Sequence, residues 1–229
     1  TDQVKGLTTS QIRAMSGDQI AAIEAEDFAA LSTSQIAAIT TTQMASLTNS
    51  QIDAISSINS LTSSQLAQLD TTTIAAMSLE SFTALTTAQI AALSAAQVGA
   101  FTTDQVQALS TSQARALTGA QLAAFDTDQL SYIEAEDIAA LSTLAIQGLA
   151  AGTTGIAALS EDQILAMTTA QIAALTTSQV QGLTTDTNGQ IAQMTSDQIR
   201  AFTTAQLAKM APDQIASIEA DDIAAMTSA

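Results

Sequence analysis

From Leu7 onward the chain repeats an eight-residue segment close to Leu-Thr-Thr-x-Gln-Ile-x-Ala almost without interruption, so its fold is the fold of an array. With the Leu as slot one, Gln11-Ile12, Gln19-Ile20, Gln35-Ile36, Gln43-Met44 and Gln51-Ile52 fill slots five and six on one grid, and Asp27-Phe28 takes the step between the second and third. The grid slips in three irregular repeats, near 55–60, 149–158 and 183–193, and resumes after each. Repeats of this kind bury apolar surface only against their neighbours. The expectation is one elongated solenoid over 1–229, a piece of a longer array.

The period excludes the simplest alternatives. Eight residues at about 100° each leave successive repeats rotated by about 80°, so a continuous helix would have no constant apolar face. In a flat strand, slots one and six have opposite parity and face opposite sides. The chain must therefore turn within each repeat.

Slot two reads as a helix N-cap. Thr8 with Gln11, Ser16 with Gln19, Ser32 with Gln35 and Thr48 with Gln51 spell capping boxes, and the apolar residues of slots one and six stand where a hydrophobic staple closes. Pro212 falls at the first helical position, where a missing N–H costs nothing. Asp18, Asp104, Asp128, Asp162, Asp197 and Asp213 fall in the first turn, and Arg13, Arg115 and Arg200 near the other end, as the helix dipole favours. Gly6, Gly148 and Gly182 fall in slot eight, where the helix stops and a positive φ is expected. The fold class expected is all-α, a superhelix of very short helices, one per repeat. A β-solenoid is the alternative, since Thr and Ile suit strands.

Lys and Arg total 5 against 22 Asp and Glu, a formal charge of −17, which repels phosphate backbones and anionic lipid. Nucleic acid is not an expected partner. No apolar run reaches the ~20 residues of a membrane-spanning helix, so no membrane insertion is expected. With no His and no Cys, thiolate metal sites and the usual nucleophile–base pairs are missing, and a non-catalytic chain is expected.

Two patterns remain as candidates for binding. Three repeats are acidic: Glu24, Glu26, Asp27; Glu134, Glu136, Asp137; and Glu219, Asp221, Asp222. Clustered carboxylates are what calcium takes, and the same slots are the cap and first turn of a helix, where acids complement the dipole. Paired Thr residues such as Thr8-Thr9, Thr86-Thr87 and Thr102-Thr103 either form a lattice for ice or polysaccharide or serve as a cap and its solvated neighbour. The segments near Gly152–Gly155 and Asp186–Gly189 are the places where a unique cleft is expected, if one exists. Tyr132, the single tyrosine, reads as a packing or surface residue.

Stretches such as Leu85-Thr86-Thr87-Ala88-Gln89-Ile90-Ala91-Ala92 and Leu175-Thr176-Thr177-Ser178-Gln179-Val180 resemble the octapeptide arrays of very large bacterial surface or secreted adhesin-like proteins, of the haem utilisation or adhesion type. The resemblance implies an extracellular or cell-surface spacer within a large polypeptide, joined to its other domains and to a host-surface, polysaccharide or protein ligand. It also implies calcium-binding repeats nearby. Haem ligation has little to draw on, since only Tyr132 and core Met could reach iron. The helix opening also resembles that of transcription activator-like effector repeats, without their longer repeat or basic DNA-facing surface. A direct ligand-binding surface, a Thr-rich face or a superhelical groove, is the alternative to a spacer.

Overall fold

The computed structural model describes residues 2–55, 58–185 and 189–226. Among them are twenty-six α-helices and two 3-10 turns and no strand. The chain is an all-α solenoid, and the β-solenoid alternative falls. The helices are four to seven residues long, well below the ~12 to 15 at which an isolated helix holds in water.

The local chemistry acts at the expected positions. Thr86 has an extended backbone; its hydroxyl accepts from the Gln89 N–H at 3.2 Å, and Gln89 Oε1 accepts from the Thr86 N–H at 2.7 Å. The same box closes at Thr8, Ser16, Ser32, Thr48 and most other repeats. Pro212 opens the helix Pro212–Ala216. Past the helix, the N–H of the next slot-one residue bonds back to the slot-six carbonyl, as Leu31 does to Phe28. The glycines depart from expectation, because no described glycine has a positive φ. Gly148 is in the ordinary helical region at φ −72°. Its requirement is closeness of approach: a Cβ there would overlap the Gly119 carbonyl oxygen.

The chain divides into two compact halves, 1–108 and 109–229. In each, slots six and one supply the core. Leu66, Phe82, Ile90 and Val98 in the first half and Ile146, Ile164 and Ile172 in the second are fully enclosed. Phe82 and Phe101 meet edge to face with centroids 4.9 Å apart, a favoured geometry for aromatic pairs. Within each half, the helix of one repeat packs on the helix three repeats later: Thr9–Ala14 on Thr33–Ile36, and Thr111–Arg115 on Ala135–Ala140.

The irregular repeats keep this order with different local structure. The first gives a 3-10 turn at Ile58–Ser60, the second one at Ile156–Ala158, and the third a helix at Gln190–Gln193. In the third, Thr184 still exchanges cap bonds with Gln190, six residues away, so the capping box survives a three-residue insertion. Asp186 and the two residues after it lie outside the described residues, as do 56–57 and 227–229.

Candidate functional site

The most regular chemical feature is the slot-five Gln. Its Oε1 closes the capping box, and its Nε2 reaches back to the preceding turn. Gln97 Nε2 donates to the Leu66 carbonyl at 2.9 Å and the Leu69 carbonyl at 2.7 Å. Gln43, Gln89 and Gln105 do the same in the first half, and Gln171, Gln179 and Gln206 in the second. The acceptors are the slot-one carbonyl and the slot-six carbonyl, which also accepts the slot-one N–H, as Leu66 does from Leu69; Gln105, Gln171 and Gln206 reach the slot-seven carbonyl as well. Each of these Gln thus links the start of one helix to the end of another through a buried side chain.

The bonds fix the turn. In the regular run they span 31 and 28 residues, so one turn takes between three and four octads. The span falls to 29 and 26 residues at Gln65, behind the six-residue repeat, and rises to 33 and 30 at Gln163 and 34 and 31 at Gln190. The register is therefore kept by repeats and not by residues. One octad advances the chain by between a quarter and a third of a turn, so the Thr pairs of successive repeats point to different sides.

Of the repeats that lack the Gln, four carry Ser81, Thr73, Asp137 and Ala145 in slot five. At Ser81 the N-cap N–H of Ser78 is accepted instead by Asp53 Oδ1 at 2.9 Å, from the turn before. At Thr73 the cap is Asp70, whose Oδ1 accepts from the Thr73 N–H at 2.6 Å and from the Thr72 hydroxyl at 2.8 Å. These bonds hold the Asp70 carboxyl below its usual value of 3.8, the Thr73 N–H contributing most. The other two replacements are Asp137 and Ala145, both buried.

The acidic repeats occupy the expected places without the expected bonds. Glu24 and Glu134 are N-caps with extended backbone, but neither side chain makes a cap hydrogen bond. Glu26, Asp27, Glu136, Asp137, Asp221 and Asp222 stand in first turns. Glu24, Glu26, Glu134, Glu136, Glu219 and Asp221 are exposed, Asp27 and Asp222 are half-buried, and Asp137 is 2% exposed. Among the described residues, no three acidic side chains are grouped as a metal ion needs. Tyr132 lies on the surface.

The two longer irregular repeats of the second half meet. Gln190 Nε2 donates to the Ile156 and Leu159 carbonyls, and Gly182 lies against the Ala151 carbonyl. An open groove of about 470 Å³ lies beside them, lined by Ala157, Leu159, Ser160, Glu161, Asp162, Thr184 and Gln190. The Ser160, Thr184 and Gln190 polar groups are engaged in cap and inter-turn bonds.

Composition and the capping pattern made the caps legible. The inter-turn role of Gln had one available signal: Glu closes a capping box as well as Gln does, yet Glu never occupies slot five here. Only the amide carries the two N–H donors that reach the carbonyls. Among the described residues no helix is long and apolar enough to cross a membrane. A family model described as the ALTTAQ repeat matches residues 20–57 and 80–111, so these stretches are similar to that repeat. No curated protein matches the chain.

Proposed function

We propose that the chain is a structural spacer and interaction module of a large bacterial cell-surface or secreted adhesin, and that it is non-catalytic. The observation that carries this reading is the Gln link between turns. Most repeats satisfy the backbone of another through the same side chain, so repeats can be added without a new kind of contact, as a spacer of adjustable length requires. The resemblance to octapeptide arrays supplies the adhesin context and an extracellular or cell-surface location.

The test is to display a small domain of known ligand on bacteria at the tip of this chain, with whole repeats removed or added. Reach to a ligand-coated bead should change in step with the number of repeats, while purified chain alone should not bind glycans or host surfaces. Specific binding by the chain alone would defeat the spacer reading. A second reading, a direct ligand surface, is favoured by the groove beside the two adjoining irregular repeats. It predicts binding that is lost when Glu161 and Asp162 are replaced together by Gln and Asn.

A further inference from the structure

Asp137 stands where the array places a hydrogen-bond donor. It fills slot five of the repeat that begins at Ile133, and in Gln-bearing repeats that slot holds the amide whose Nε2 meets two carbonyls of the preceding turn. Counting back 28 residues puts it in register with the Leu109 carbonyl. A carboxylate there sets oxygen against oxygen, whereas a neutral carboxylic acid has one O–H to donate. Asp137 is 2% exposed, and its Oδ2 has no hydrogen-bond partner. A buried polar atom left unpaired destabilises the fold, and more so when charged.

The sequence contains its own control. Glu24-Ala25-Glu26-Asp27 and Glu134-Ala135-Glu136-Asp137 have the same residues in the same slots. Asp27 is half-buried, whereas Asp137 is enclosed. Its helix, Ala135–Ala140, packs against Thr111–Arg115 and Glu161–Ala166. The charged groups on these elements are Glu134 and Glu136 beside it, Arg115 on one neighbour, and Glu161 and Asp162 on the other, all exposed. The Thr111 hydroxyl is adjacent to the carboxyl.

We propose that Asp137 is a proton-operated rung in the second half of the solenoid. With a proton taken from solvent, its O–H takes over the donor role of the Gln Nε2 and closes the link to the preceding turn; ionised, it leaves that link open. Burial works in the same direction, raising the carboxyl above its usual value of 3.8, with Glu134 and Glu136 adding to the effect and Thr111 opposing it. For the sign, the folded chain holds this proton more tightly than the unfolded chain. The stabilisation is therefore complete below 3.8 and is lost as pH rises through the folded value.

The experiment is urea unfolding of the full chain between pH 4 and 8, for the wild type, Asp137→Asn and Asp27→Asn, with a carboxyl-carbon NMR titration of the wild type. The midpoint of the wild type and of Asp27→Asn should fall as pH rises, and Asp137→Asn should lose that part of the fall. The Asp137 carboxyl should titrate above 3.8. The NMR titration decides the matter even if Asp137→Asn does not fold. Titration at or below 3.8, or an unchanged pH dependence in Asp137→Asn, overturns the proposal. So does a neutral-pH midpoint that calcium raises as acid does, which would put a cation where the proton is proposed.

Discussion

At the scale of single residues, the slot-five Gln does two things that replacement can separate. Gln97→Glu keeps the oxygen that closes the capping box and loses both donors to the Leu66 and Leu69 carbonyls. It should cost about 2–3 kcal/mol in urea unfolding, because two buried carbonyls then face a carboxylate. Gln19 closes the same box, but its side chain is exposed. Gln19→Glu should therefore stay within about 0.5 kcal/mol. Equal losses would mean that the inter-turn bonds contribute nothing. Asp70 tests a cap through its charge. Asp70→Ala should cost about 1 kcal/mol at neutral pH. Its carboxyl is held below 3.8 in the folded chain, so its stabilisation is present above that value and fades as pH falls through the folded one. The gap between wild type and Asp70→Ala should narrow in acid, opposite in sign to the effect at Asp137.

At the scale of the helix and its neighbours, closeness of backbones matters more than helix propensity. Gly148 stands against the Gly119 carbonyl, and Gly152 faces open space. Gly148→Ala should destabilise the chain by about 1–3 kcal/mol, as overpacking does, while Gly152→Ala should change little; thermal melts of the two variants decide. That contrast also shows how far the sequence could be read. The caps at Thr8 or Thr86, the place of Pro212 and the inward slots were legible because each depends on residues within six positions of one another. Gly in slot eight suggests a helix stop and a positive φ, whereas the need at Gly148 comes from a carbonyl 29 residues away in sequence. The turn of between three and four octads was illegible for the same reason: the acceptors are backbone carbonyls, which no residue type marks. The missing cap bonds at Glu24 and Glu134 show the other limit, since an acid in the cap slot does not by itself make the bond.

At the scale of the whole molecule, sequence-distant bonds among the described residues reach only about one turn, from 25 to 34 residues, so stability is a sum of similar local terms. Against that sum stands a net charge of −17 with only 5 basic residues. The ion pair of Arg200 with Asp197 is exposed and within one helix, a type that contributes little. Self-repulsion among dispersed carboxylates destabilises a compact chain, and salt screens it over about 10 Å at 0.1 M. Raising sodium chloride from about 10 mM to about 0.5 M should therefore raise the melting temperature, followed by the helical circular dichroism signal. Potassium chloride should act equally, because the effect is screening and not ion binding. A melting temperature that falls with salt would mean that attractive pairs outweigh the repulsion. A rise with calcium at millimolar levels, far beyond its ionic strength, would return the acidic repeats to the role of cation sites.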